Sequence, residues 1–290
     1  MGRLTIDGTL GLAQFWPEGE SDADTTKIIL NVAPGAIRYQ APGQSAQPTS
    51  AFEDAFVKIY GKPKFVIKEG KLTVRLQGID APELHLQPQS MKGTKYKGKD
   101  LGSLKGSGLV KKYRQHQAET ATVQLAQYIG SLGTSPISCQ FVTEVADDEG
   151  PGDAIDKYGR FVGNLRIGDV DINLETLRRG WAVVAIYNSM RRNEIQDCLD
   201  AWKVGRKAAS GIVKYLTNTI GAFDPDLLYR RGNDAQIQLE GTHKFIHPKL
   251  YRRQCTWWAY RKNGTFKSGF DTFLTLSKHD VFYELDDFLS

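Results

Sequence analysis

Residues 72–83 read LTVRLQGIDAPE, and the rest of the chain organises itself around this stretch. Leu72, Val74, Leu76 and Gly78 fall on one face of an alternating strand, and Thr73, Arg75 and Gln77 on the other. The strand runs into an Asp-Ala-Pro-Glu corner, where Pro82 fixes φ and ends it. One cation therefore leaves a strand face, and two carboxylates, Asp80 and Glu83, sit on a rigid turn just beyond it. Hydrolysis of a phosphodiester needs a carboxylate for a hard metal, one for proton transfer and an arginine for the phosphate. The same charges at a strand end are also what a solvated turn carries, so the stretch alone leaves both readings open.

Two further segments bear on the choice. Upstream, Asp22-Ala23-Asp24-Thr25 precedes an apolar run, which by itself reads as an Asx turn. Downstream, Asp156-Lys157-Tyr158-Gly159-Arg160 leads into a strand. Together the three segments resemble the staphylococcal nuclease (thermonuclease) family. LTVRLQGIDAPE is similar to its strand-and-turn signature, DADT to its D-G-D-T element, and DKYGR to its D-K-Y-G-R element residue for residue. The resemblance covers about residues 1–215, with insertions at 34–63 and 84–112, and stops beyond Lys214.

The pattern of elements agrees. Strands are expected at 10–15, 27–32, 64–67, 72–79, 137–145 and 158–167, with 64–67 and 72–79 forming a hairpin around Glu69-Gly70. An amphipathic helix is expected over 113–129, with Ala118, Ala121, Leu125, Tyr128 and Ile129 on one face. Two more begin at Asn173 and at an Asn193/Gln196 capping pair. Short strands and about three helices fit an α+β fold, a five-stranded Greek-key β-barrel of the OB type, to which 216–290 adds a small α+β extension. The expected domains are thus 1–215 and 216–290. Inside the first insertion, Ser50 and Glu53 form a capping box for a short helix.

What the resemblance implies is chemical. Asp24 and Asp80, with the backbone carbonyl of Ala81, would hold one calcium ion. Arg75 and Arg160 would grip the phosphate oxygens, and Glu83 would take a proton from the attacking water. Lys157 and Tyr158 match positions that contact the terminal phosphate and sugar. The implied activity is a nuclease acting on DNA or RNA and leaving 3′-phosphate and 5′-hydroxyl ends. One departure is central: Ala81 stands where the best-known members carry threonine, and Tyr187 aligns only loosely with their nucleotide-facing tyrosines. A catalytically silent barrel that binds nucleic acid or protein is the alternative.

Bulk properties are compatible with this and decide little. At 40% apolar and 24% charged, the 290 residues have ordinary globular composition, and the net charge of +5 leans weakly towards an anionic partner. Where the charge lies matters more. Between 84 and 115 eight basic residues (Lys92, Lys95, Lys97, Lys99, Lys105, Lys111, Lys112, Arg114) face one acid, Asp100, and this glycine-rich composition predicts a mobile loop, either an electrostatic guide for substrate or a solvated surface loop with no role. Three scattered cysteines and five histidines give neither a disulfide framework nor zinc-ligand spacing. No signal peptide, membrane span or myristoylation site is read, so the expectation is a soluble, cytoplasmic monomer with no membrane partner. In the extension, Asn263-Gly264 predicts a hairpin within 255–266, and Ser277 with Asp280 opens a last helix. Trp257, Trp258 and Tyr260 among Arg252, Arg253, Arg261 and Lys262 form either a subdomain core or a stacking platform for single strands, and a protein partner for the extension stays open.

Overall fold

The computed structural model describes residues 1–30, 36–48, 67–68, 70–104, 112–145, 151–156, 158–187, 190–217, 223–224 and 241–276. The chain forms two compact units, residues 1–81 with 120–214, and residues 82–119 with 215–290.

The first unit opens with β1, Gly2–Leu10, in which buried positions alternate with half-buried or exposed ones. Leu4, Ile6 and Leu10 point inward and are wholly buried. Gly8 takes the remaining inward place because β2 (Thr25–Leu30) crosses directly over it. A Cβ there would stand 2.3 Å from Ile28 Cγ2 and 2.5 Å from the Ile29 carbonyl oxygen, so no side chain fits. That glycine hides the alternation, which is why 10–15 rather than 2–10 reads as the first strand. The strand in fact ends at Leu10, and Leu12–Gln14 is a turn of 3₁₀ helix.

Two short strands, β3 (Ile37–Gln40) and β4 (Gln47–Pro48), extend the sheet outward from β1. They lie in the first expected insertion, whose helix at 50–59 falls outside the described residues. β5 (Ile67–Lys68) and β6 (Lys71–Leu76) make the expected hairpin. β7 (Ile79–Asp80) carries the corner that follows. After α1 (Ala118–Ser131) come β8 (Ile137–Val145) and β9 (Phe161–Ile167). The short β10 (Val170–Asp171) follows, and β11 (Val183–Val184) pairs back onto β7.

The barrel closes in the order β1–β8–β9–β6–β2–β1. Every pair is antiparallel except β9 with β6, which is parallel. This is the closed five-stranded barrel of the OB type expected from the sequence. Phe141, Phe161, Leu72, Val74 and Leu165 fill it, all with no exposed surface. Burying each such side chain contributes about 1.5–3 kcal/mol.

Helix α2 (Ile172–Arg178) is capped by Asp171, whose carboxylate accepts the Leu174 N–H at 3.1 Å. Asn173, expected as the cap, is instead fully buried and joins helix to barrel. Its Nδ2 donates to the carbonyls of Gln77 (2.8 Å) and Gly163 (3.0 Å), and its Oδ1 accepts the Leu165 N–H at 3.1 Å. Helix α3 (Arg192–Ala208) starts one residue before Asn193, with the Glu194 carboxylate accepting the Arg191 N–H at 2.8 Å, and buries Cys198, Leu199 and Trp202. No helix among the described residues is long and apolar enough to cross a membrane.

The second unit corrects two expectations. Residues 84–104 do not form an unpacked loop: Leu84, Leu86, Leu101 and Leu104 are buried. Lys95–Tyr96 and Lys99–Asp100 pair as a small antiparallel ribbon. Asp100 holds it, its carboxylate accepting the N–H groups of Gly102 (2.8 Å) and Gly93 (2.9 Å). Those two amides, then Lys92 and Lys95, keep the Asp100 carboxyl below the usual carboxylate range. Nor is there a hairpin at 255–266. Pro248–Lys262 is a helix, α4, followed by α5 (Phe270–Leu274), and Asn263-Gly264 ends it with Gly264 at φ 78°.

Helix α4 has its own start signals in Pro248 and in His247, whose Nδ1 accepts the Lys249 N–H at 3.2 Å. Tyr251, Cys255 and Ala259 recur every four residues on its buried face. Tyr260, Phe266, Phe270 and Phe273 close with Leu101 and Leu104 into one apolar cluster. Tyr260 is core, while Trp257 and Trp258 are half-buried beside it. The expected helix from Ser277 lies outside the described residues.

Candidate active site

Strand register brings the motif residues of the first unit to one end of the barrel. Thr25 on β2 stands opposite Arg75 on β6, and Val162 on β9 stands opposite Arg75 from the other side. Arg160 lies just before β9, so Asp24, Thr25, Arg75 and Arg160 arrive together from three separated segments.

Arg75 is the centre of the constellation. Its Nη2 donates to Asp80 Oδ1 at 2.8 Å and to the Ile79 carbonyl at 3.3 Å, and its Nη1 pairs with Asp24 Oδ1. All three side chains are nearly closed to solvent, at 10%, 3% and 2% exposed for Arg75, Asp24 and Asp80. Burial alone works against the guanidinium charge. Asp24 and Asp80, with Tyr187 and Asp22, outweigh it and hold the Arg75 pKa well above its ordinary value.

Asp24 is held on both oxygens. Its Oδ2 accepts the Ala81 N–H at 2.8 Å and its Oδ1 accepts the Thr25 hydroxyl at 3.0 Å. The Asx turn read at DADT is present: Asp22 Oδ1 accepts the Thr25 N–H at 2.8 Å and the Asp24 N–H at 3.3 Å. That turn aims Asp24 at Arg75. On the other flank Arg160 Nη1 donates to the Thr25 hydroxyl at 3.2 Å. A continuous line of polar contacts thus runs Arg160–Thr25–Asp24–Arg75–Asp80.

Asp156 orients Arg160. Its Oδ2 accepts Nε and Nη2 of Arg160 at 2.8 and 2.7 Å, and its Oδ1 accepts the N–H groups of Tyr158 and Arg160 at 2.9 and 3.0 Å. The turn closes through Gly159 at φ 81°, a left-handed conformation that favours glycine. Tyr158 projects from it, 58% exposed, with the Arg160 guanidinium 5.3 Å from its ring centroid. Lys157 lies outside the described residues.

Sequence reasoning missed Asp156 as the residue that fixes Arg160; its signal was the Asp-x-x-Gly turn inside DKYGR. It also left Tyr187 aside, although that phenol is close enough to Arg75 to act on its charge and is 37% exposed.

Glu83 belongs to the second unit. Its N–H donates to Gln115 Oε1 at 3.2 Å, its carbonyl accepts the Gln115 N–H at 2.6 Å, and its carboxylate Oε1 pairs with Nη1 of Arg252.

Two buried carboxylates against one guanidinium leave an excess of negative charge beside the Ala81 corner, which is what a hard divalent cation neutralises. Among the described residues no three His, Cys, Asp or Glu side chains are grouped to hold a metal. Asp24 and Asp80, with the Ala81 carbonyl next in the chain, are the oxygen donors at this corner that could hold such an ion.

An OB-type barrel with two arginines and two buried aspartates at one end defines the class of this molecule. Residues 73–214 match the model of the family described as staphylococcal nuclease homologue, and that part of the chain is a domain of this family. The match begins inside β6, so Asp24 joins the site through the fold and not through the matched segment. No curated protein matches the chain.

Proposed function

We propose that the chain is a calcium-dependent nuclease that hydrolyses DNA or RNA phosphodiesters by in-line attack of water, leaving 3′-phosphate and 5′-hydroxyl ends. The observation that carries this reading is the unbroken line Arg160–Thr25–Asp24–Arg75–Asp80. It sets two planar guanidinium forks and two buried carboxylates in one preorganised arrangement, which supports that reading.

The phosphodiester is anionic and repels nucleophiles, so positive charge must come first. Arg75 and Arg160 supply it, and guanidinium contacts that strengthen as charge grows on the equatorial oxygens act mainly on the transition state. Calcium, held by Asp24, Asp80 and the Ala81 carbonyl, would add Lewis-acid charge on a phosphate oxygen. Glu83 takes the proton from the attacking water. Lys157 and Tyr158 contact the terminal phosphate and the sugar. Loss of the threonine hydroxyl at Ala81 leaves the carbonyl donor in place.

The test is incubation of purified protein with plasmid and single-stranded DNA in calcium, in magnesium and in chelator. Degradation with calcium alone is expected. Glu83→Gln and Arg160→Ala should each lower activity by about 10²-fold or more, the scale for a general base or an electrostatic stabiliser. DNA bound but never cut, whatever the ion, overturns the reading in favour of a silent binding barrel.

A further inference from the structure

Glu83 is held by residues far away in sequence. Gln115 clamps its backbone from both sides, and Gln115 is itself 1% exposed, with its Nε2 donating to the Ile246 carbonyl at 2.7 Å. Arg252 reaches its carboxylate, the two side chains being 19% and 29% exposed for Glu83 and Arg252. Arg252 is anchored in turn: α4 packs Tyr251 and Cys255 with Ile246, Leu86 and Tyr113, and the Tyr251 hydroxyl donates to the Arg114 carbonyl at 2.7 Å. Leu86 and Tyr113 bridge each other by two backbone hydrogen bonds of 3.0 and 2.7 Å, so the segment after Glu83 is tied down as well. Arg252 and Ile246 lie outside the segment 73–214 that matches the nuclease family.

A partly exposed ion pair contributes little to stability. Its effect on geometry is larger. A glutamate on a turn has three side-chain torsions, and a base must keep one oxygen aimed at water while the phosphate reacts. A planar guanidinium on an anchored helix removes much of that freedom in a way that an ammonium on a flexible stem does not. We infer that Arg252 is a positioning residue for Glu83, the two held together within the second unit. The inference rests on the reading of Glu83 as the base.

The experiment uses the full chain with plasmid DNA and calcium, measuring kcat, KM and thermal midpoint for Arg252→Ala, Arg252→Gln, Arg252→Lys, Glu83→Gln and the double variant Arg252→Ala/Glu83→Gln. Arg252→Ala and Arg252→Gln should lower kcat about 10–100-fold, as for loss of a group that orients a catalytic one, with KM and the thermal midpoint little changed. Arg252→Lys should recover part of the loss. In the Glu83→Gln background, Arg252→Ala should cost nothing further, because the residue it positions is gone. A kcat at or above the parent's in both Arg252→Ala and Arg252→Gln, or a full additional loss in the double variant, overturns the inference and leaves the base assignment standing. Parent-level activity in Glu83→Gln removes the base assignment and this inference with it.

Discussion

Arg75 carries two kinds of load. In the proposed reaction it presents a guanidinium for phosphate, and in the fold it is a cation that keeps Asp24 and Asp80 tolerable below the surface. Breaking a buried ion pair from one side costs about 3–5 kcal/mol, because the remaining charge is stranded. Arg75→Ala should therefore lower the thermal midpoint strongly in chelator. Calcium should raise that midpoint more in the variant than in the parent, since it supplies the missing positive charge. An equal calcium shift in both proteins would mean that the two aspartates do not share the ion. The thiols follow from burial in the same way. Burial pushes Cys139 and Cys198 up to about 12, so both should resist alkylation at pH 8 in the native protein and react once it is denatured. The central residues were legible because each sits in a short motif whose spacing is its own signature. Arg252 was not, since an ion pair spanning 169 positions leaves no local trace.

Elements were readable wherever one periodicity ran without interruption. β6, β8 and the hairpin at Gly70 were plain in the alternation of their residues. The missed elements share a cause: a local cue competed with a tertiary one and lost. Asn263-Gly264 is a strong hairpin signal, yet here it terminates a helix whose buried stripe recurs every four residues. The stretch 84–104 has four leucines among lysines and glycines, too sparse to mark a core, and the aromatic residues that cover Leu101 and Leu104 appear more than 150 positions later. The lysines of its ribbon remain exposed on an ordered support. Changing Lys92, Lys95, Lys97 and Lys99 together to Ser should raise KM for DNA and leave kcat unaltered. The salt dependence should flatten by about 0.7–0.9 in slope for every phosphate that a lysine no longer neutralises. A salt slope as steep as the parent's would place the relevant charge elsewhere.

At the scale of the molecule, the end of the family match at Lys214 is not the end of what residues 82–119 require. A chain stopped at Lys214 would lack Ile246, Tyr251, Cys255 and Tyr260, against which Leu86, Leu101, Leu104 and Tyr113 are buried. Limited proteolysis of that shortened chain should cut first within 82–119, and the shortened protein should have lost nuclease activity. Equal resistance of 82–119 in both chains would show that the segment holds its structure alone.

Both units are built from pieces that are not contiguous in the chain. The barrel pairs Gly2 with Val145, and the second unit begins at Pro82 yet needs residues beyond Tyr215. During synthesis at about 5–20 residues per second, β1 must wait several seconds for its partner, and 82–119 must wait for nearly the whole chain. Residues Leu86, Leu101 and Leu104 therefore spend that interval uncovered. Their isolation among lysines and glycines, which made them hard to recognise as core, also keeps the waiting segment from forming a continuous sticky run.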